Sequence, residues 1–464
     1  MTNTLRNRTF DEIAVGDSAS IERTLKPEDI QLFAVMSGDV NPAHLDAAYA
    51  DAAGRQGVIA HGMWGGALIS AVLGTRLPGP GTVYLSQTLA FRAPVRIGDT
   101  LTIRVEVTAK SEAGRRVTLA CTGVNQRGET VIDGEAGVAA PAERIERAAA
   151  TLPEVRLSAG SGLPRLLEHV RPLGAIRVAV VHPCDVLSLG GALDARAAGL
   201  IDPVLVAPRA RLEALAAEAG LDLAGLPIED VPHSHAAAQH AAGMAGKGQV
   251  EALMKGSLHT DELMGAVLDA AAGLRTKRRL SHCFLMQTPA YPRPFIITDA
   301  AVNIAPTLAE KADIVRNAIE LAHAIGVQRP RVAILAAVET VNPNMPATLD
   351  AAALCKMADR GQIAGAVLDG PLAFDNAVSA AAARVKGIDS PVAGQADVLV
   401  VPDLESGNML AKQLEYMGDA ATAGIVLGAK VPIVLTSRAD SRETRIASCA
   451  VAVLLAHHYR ATPP

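Results

Sequence analysis

The stretch His61–Leu77, HGMWGGALISAVLGTRL, is apolar nearly throughout and is bounded by glycine and proline. A segment apolar on every side has no polar face to offer water, so it predicts a helix buried against other elements. The chain that follows supplies the cover. Residues 101–108, LTIRVEVT, alternate Leu, Ile, Val and Val with Thr, Arg, Glu and Thr, the period of a strand with one buried face. RRVTLACTGV, the polar glycine-containing turn NQRGE and TVIDGEAGVA then predict an antiparallel hairpin. The first domain therefore reads as mostly antiparallel sheet with a helix packed on it.

Upstream of that helix, SGDVNPAHLDAAYA gathers an acid, an Asn-Pro break and a histidine. Pro42 disfavours helical dihedrals at Asn41 and removes one backbone donor, so DVNPAH predicts a turn or a helix start. Asp39 and His44 can then share one water, remove a proton from it and return one to a neighbouring carbon, which is general acid–base chemistry at neutral pH. Ordinary helix capping accounts for Asp-x-Asn-Pro without any chemistry. The later GVIAHGM weighs toward chemistry, because Gly62 at a helix start lets a substrate oxygen approach an unpaired backbone N–H with no side chain between. A thioester carbonyl held there becomes enolate-like as water adds to the adjacent double bond, and one such donor is worth about 3 kcal/mol. His61 reads more simply as a residue that fixes the loop.

With 464 residues the chain exceeds one ordinary core and predicts two or three domains. Half the residues are hydrophobic but only 3% aromatic, which implies cores of small aliphatics. Forty-three basic against 48 acidic residues give a net charge of −5 with no basic stripe, so nucleic acid is not an expected partner. Cys121, Cys184, Cys283, Cys355 and Cys449 form no CxxC pair, arguing against a zinc cage or disulfide framework. The N-terminus carries acids where a signal peptide needs an apolar block. The longest apolar run, IASCAVAVLLA from Ile446, is shorter than the roughly 18 residues of a membrane span. These features predict a cytoplasmic enzyme with no membrane partner.

The expected boundaries are a first domain at 1–140, a linker of mixed Ala, Ser, Gly, Pro and charge at 141–162, and a second domain at 163–464. Beyond the linker, short aliphatic runs (IRVAVV, PVLVA, FIIT, RVAILAAV, GAVLD, ADVLVVP, PIVLT) alternate with helical stretches, predicting a parallel sheet buried on both faces. Three strand-to-helix junctions carry polar residues. LMKGSLHTDEL brings Lys255, Gly256 and Ser257; VPDLESGNMLAKQL brings Asn408 and Lys412; LTSRADS brings Ser437, Arg438 and Asp440. Free amides at such junctions suit anions, and Arg438 can grip phosphate by two parallel bonds. Each junction alone is equally well read as capping or turn chemistry, but three in one sheet favour a ligand at the strand ends.

SGDVNPAHLDAAYA, GVIAHGM and GTVYLSQTLAFRAPVRIGDTLTIRVEV resemble the MaoC-like (R)-specific enoyl-CoA hydratases of the hot-dog family, over roughly residues 10 to 140. The resemblance implies an α+β fold with a long helix wrapped by antiparallel sheet, a homodimer or higher homo-oligomer, catalytic Asp39 and His44, the thioester-oxygen amide at Gly62, and Asn41 among the substrate contacts. A serine present in related hydratases a few residues after HGM is matched by Ala67. From about residue 163 the junction motifs, with FIITDAAVNIAPTLAEKADIVRNAIELA and LDGPLAFDNAV, resemble the phosphate acetyl/butyryltransferases. That family implies two isocitrate-dehydrogenase-like α/β subdomains moving an acyl group between coenzyme A and phosphate, with neither metal nor a tightly bound cofactor. Ser437 and Arg438 match its serine-arginine pair as catalytic residues, and Lys255, Gly256, Ser257, Asn408, Lys412 and Asp440 are carried as phosphate- or substrate-binding positions. The acetyl branch has an aspartate seven positions after the serine. Thr444 stands there, and Tyr416 near an expected arginine, departures that imply an acyl chain longer than acetyl with Asp440 as stand-in base.

The expectation is a bifunctional acyl-CoA enzyme. Two other readings stand beside it: a C-terminal half that only binds or oligomerises, and a metal- and NAD-dependent decarboxylating dehydrogenase on the same fold. Against the last, the sequence has no run of aspartates suited to a divalent ion and no adenine-binding signature.

Overall fold

The computed structural model describes residues 4–464 except 53, 55, 56, 153, 154, 156–161, 438 and 439. The chain divides into two compact units, Met1–Ser158 and Ala159–Pro464.

Unit 1 contains β1 (Thr4–Arg6), β2 (Ser18–Thr24), α1 (Pro27–Ser37), α2 (Pro42–Leu45), α3 (Ala47–Ala52), α4 (Gly62–Thr75), β3 (Val83–Phe91), β4 (Thr100–Ser111), β5 (Arg116–Asn125), β6 (Thr130–Ala139) and β7 (Glu146–Ala148). Five strands form an antiparallel sheet in the order β2-β4-β5-β6-β3, with β5 and β6 as the expected hairpin. The alternation in LTIRVEVT is the sheet's buried face: Leu101, Ile103, Val105 and Val107 point into one core with Ile69, Val72 and Leu73 of α4. Each such side chain contributes about 1.5–3 kcal/mol on leaving water. Within the expected linker, β7 pairs with β1 in a small antiparallel ladder.

Unit 2 begins with α5 (Leu163–Val170), β8 (Ile176–Val181), α6 (Val186–Ala197), β9 (Ile201–Ala207), α7 (Arg209–Ala219), β10 (Ile228–Asp230), α8 (Ser234–Gly246), β11 (Ala252–Lys255) and α9 (Thr260–Leu268). It continues with β12 (Ser281–Gln287), β13 (Phe295–Thr298), α10 (Leu308–Ala324), β14 (Arg331–Leu335), α11 (Pro346–Asp359), β15 (Val367–Leu372), α12 (Phe374–Val378), α13 (Ala380–Val385), β16 (Val398–Val400), α14 (Leu404–Met417), β17 (Ala421–Leu427), β18 (Ile433–Val434) and α15 (Arg442–Ala461).

The expected all-parallel sheet is corrected. One sheet runs β10-β9-β8-β11-β18-β17-β12-β13-β16-β14-β15, with two parallel blocks joined through antiparallel β17 and β12. The two joining strands, SHCFLMQ and ATAGIVL, were missing from the aliphatic runs read as strands. Because three successive pairings are antiparallel, the β13-β16-β14-β15 block runs opposite to the β8-β11-β18 block. The apolar run at Ile446 lies inside α15, which packs on β17 as an interior helix. Among the described residues no helix is long and apolar enough to cross a membrane.

Candidate functional site

In unit 1 the Asn-Pro break does what its dihedral limits dictate. Pro42 opens α2, and the Asn41 carboxamide oxygen caps it by accepting from the Ala43 amide at 3.0 Å. That bond gives Asn41, expected among substrate contacts, a structural task. The preceding loop carries Asp39, exposed, whose Oδ1 accepts from the Asn41 amide at 3.2 Å. His44 follows on α2, half-buried, with Nδ1 held 2.8 Å from the Ile59 carbonyl oxygen. A carbonyl only accepts, so that nitrogen carries the hydrogen and Nε2 keeps its lone pair.

His61 joins the Asp39 loop to His44. It is 3% exposed, its ring lies 4.0 Å from that of His44, and its Nε2 is 3.0 Å from the Asp39 carbonyl oxygen. The residue thus fixes the Asp39 loop, as the sequence suggests, and in addition stacks on His44, which spacing alone did not indicate. One donor atom from each of Asp39, His44 and His61 lies within 4.8 Å of the others.

Gly62 is the first residue of α4, and the first-turn amides of a helix have no partner within it. A Cβ there would stand 3.2 Å from the Phe91 ring, so only glycine leaves the approach open. A cavity of about 390 Å³ is lined by His44, His61, Gly62, Trp64, Phe91 and Ile132, among others. Beside it, a second hollow of about 300 Å³ is bordered by Phe33, Met63, Ala67, Ser70 and Leu89. Ser70, one turn along α4 from Ala67, borders this second hollow and not the cavity at Gly62.

In unit 2 the three junctions do not share one sheet end. β8, β11 and β18 are parallel neighbours, so the loops after them lie side by side. Gly256 and Ser257, expected to present free amides, instead donate to Val181 O at 2.9 Å and His182 O at 2.8 Å, extending the ladder beyond β11. A Cβ on Gly256 would sit 2.4 Å from Val181 O, which excludes any other residue. Asp185, which caps α6 by accepting from the Ser188 amide at 2.7 Å, is held below the ordinary carboxylate range by hydrogen bonding that outweighs its burial. Lys255 is half-buried at the strand end.

β16 runs the other way, so the start of α14 meets the end of β13 instead: Asn408 donates to Ala300 O at 3.2 Å. Lys412, one turn on, is the group that reaches back. Its Nζ lies 2.8 Å from Glu415 and 3.9 Å from Asp440. Burial pulls Lys412 down, but the Glu415 and Asp440 carboxylates raise it above the ordinary lysine value. Asp440 accepts the Ser437 amide at 2.7 Å, and burial pushes its carboxyl above 3.8 despite that bond and the Lys412 charge. Ser437 is exposed at the loop tip; Arg438 lies outside the described residues. Thr444 is buried, its hydroxyl placed against those of Ser441 and Thr422. Tyr416 is exposed, with its ring 5.6 Å from Lys412 Nζ.

Sequence reading passed over Arg445. It is 5% exposed, donates to Ser437 O at 3.1 Å and lies over Gly191 of α6, where a Cβ would meet its Cδ at 2.9 Å. An arginine directly against the apolar run IASCAVAVLLA, the last of three in SRADSRETR, was the available signal.

The chain is 60% identical over 297 residues to the phosphate acetyltransferase of Rhizobium meliloti, a match covering 64% of this chain and 94% of that protein. The chain belongs to the phosphate acetyl/butyryl transferase family. The family model described as Phosphate acetyl/butaryl transferase matches residues 232–453. A branched-chain phosphotransacylase from Enterococcus faecalis V583 superimposes with a TM-score of 0.55 at 33% identity, over 61% of this chain and 99% of that one. A MaoC like domain matches residues 14–127. The unliganded R-hydratase PhaJ1 from Pseudomonas aeruginosa is 46% identical over 33% of this chain and 99% of its own, with a TM-score of 0.33. Unit 1 has the hot-dog fold and unit 2 the two-block α/β fold of the phosphotransacylases.

Proposed function

We propose that the chain is a bifunctional, cytoplasmic acyl-CoA enzyme, with a hydratase at 1–140 and a phosphate acyltransferase at 163–464. The observation that supports the first activity is the closeness of Asp39 to His44, which together with Gly62 lines a cavity. His44 Nε2 takes a proton from water as the oxygen bonds to Cβ of a trans-2-enoyl-CoA. The electron pair moves to the thioester oxygen facing Gly62 N–H, and Cα then takes the proton back from the imidazolium, giving the (R)-3-hydroxyacyl-CoA. Asp39 orients the water and balances the imidazolium charge.

In the second activity the CoA thiolate attacks the carbonyl of an acyl phosphate, forming C–S as C–O breaks, or phosphate attacks the thioester in reverse. Asp440 takes the thiol proton. Arg438 and Lys412 neutralise phosphate charge, and Ser437 orients the reacting oxygen. Thr444 and Tyr416 favour a chain longer than acetyl, while the relative named phosphate acetyltransferase favours acetyl, so the acyl group is a short one of either length. The enzyme works as a homodimer or higher homo-oligomer. β3 ends its sheet as an unpaired edge of nine residues with Val83, Tyr84, Leu85 and Phe91 exposed, a surface that a second copy would cover.

Acetyl-, butyryl- and crotonyl-CoA with and without phosphate test both halves together. Asp39→Asn is expected to slow crotonyl-CoA hydration by about 10²–10⁴-fold. Arg438→Gln is expected to raise the phosphate KM. Thioester loss independent of phosphate for all three substrates would reduce unit 2 to a binding module.

A further inference from the structure

We propose that Asp39, His44 and His61 form a site for a zinc-class divalent cation, and that an ion bound there shuts the hydration site. The second half of this proposal rests on the hydratase reading above; the first does not.

The donor set is two imidazole nitrogens and a carboxylate oxygen, all within 4.8 Å of one another. Both rings are already set in the form a metal requires. His44 gives its Nδ1 hydrogen to Ile59 O and His61 gives its Nε2 hydrogen to Asp39 O. Each therefore presents an unprotonated second nitrogen, the arrangement in which metal-binding histidines are held by backbone carbonyls. His61 Nδ1 is buried and, among the described residues, has no hydrogen-bond partner. The structure thus keeps a buried lone pair unsatisfied on one residue of the three-residue cluster.

Imidazole and carboxylate donors suit zinc and its transition-metal neighbours, whereas magnesium prefers an octahedron of oxygens. Three donors at roughly 2.1 Å from one ion stand about 3.4 Å apart. The contraction falls on Asp39, which is exposed in the loop between α1 and α2 and would give up the 3.2 Å bond that its Oδ1 accepts from the Asn41 amide. Three protein ligands leave a fourth position open, here toward the 390 Å³ cavity. Coordination occupies the His44 lone pair and the Asp39 carboxylate, the same groups that must handle the water proton.

The test uses the full chain stripped with EDTA and dialysed. Calorimetric titration with zinc chloride is expected to show one more bound equivalent in wild type than in Asp39→Asn, or binding about tenfold tighter or more. His61→Gln should lose the same equivalent, and circular dichroism with a thermal melt of each variant reports that unit 1 is folded. Hydration of crotonyl-CoA by wild type should fall in step with zinc occupancy, recover on adding EDTA, and ignore equimolar magnesium. Equal zinc binding by wild type and Asp39→Asn would overturn the site, and hydration that rises with zinc would overturn its inhibitory role. If stripped wild type hydrates no crotonyl-CoA, the hydratase reading fails while the calorimetric difference still decides the metal site.

Discussion

Replacing Gly62 by alanine separates the oxyanion role of its amide from any role in folding. The added Cβ would lie 3.2 Å from Phe91 Cε1 and 3.4 Å from Cδ1 and Cζ, slightly inside the 3.5–4.0 Å at which carbon atoms rest without strain. Phe91 is 54% exposed, so its ring can yield by a few tenths of an ångström. Alanine also favours a helix over glycine by up to about 1 kcal/mol, so the fold is retained. What changes is the approach to the amide: a methyl group and a displaced ring now stand in the cavity where the thioester oxygen must come. Loss of one such donor costs about 3 kcal/mol in the transition state, or about two orders of magnitude in kcat. The assay is the loss of enoyl absorbance of crotonyl-CoA, with Tm and phosphate-dependent acyl transfer by the same chain as internal controls. Wild-type hydration in Gly62→Ala, with the protein folded, would refute the placement of the oxygen at this amide.

Two further outcomes follow for unit 2. Burial raises Asp440 above 3.8, and a base works only when deprotonated, so acyl transfer should fall as pH drops through a value higher than an ordinary aspartate's. In Asp440→Asn that acidic limb should vanish along with most of the rate; an unchanged pH profile removes Asp440 as the base. Arg445→Ala deletes the bond to Ser437 O and opens a void against Gly191, so transfer should fall about tenfold or more while crotonyl-CoA hydration stays constant. Equal loss of both activities would mean that Arg445 supports global stability rather than the loop.

Much of unit 1 was legible because its signals are local. The alternation at 101–108 and the all-apolar stretch at 62–75 each state which faces avoid water, and only a sheet over a helix satisfies both. Pro42 limits the dihedrals of its own neighbourhood, so the helix start at α2 could be read directly. In unit 2 the strands found were those rich in Val, Ile and Leu. β12 and β17, with their Ser, His, Gln, Thr and Gly, escaped because burial on both faces leaves no period to read. Missing them reversed the direction of β16, so that its junction meets the one after β18 through Lys412 and Asp440 and not at a shared sheet end.

The amino-acid order alone determined that the chain holds two units, one of antiparallel sheet over an apolar helix and one of aliphatic strands alternating with helices, and that a helix starts at Pro42. Those conclusions depend on dihedral limits and on face-by-face burial, both of which act within a few residues, whereas the acyl-CoA reading came from the resemblance of its motifs to two families. The tertiary structure decided who meets whom: His61 against His44, Arg445 behind Ser437, Lys412 toward Asp440, and the ladder that absorbs the Gly256 and Ser257 amides. Such meetings depend on how strands pair and in which direction, set by the packing of the whole unit, and no local window of sequence contains that information.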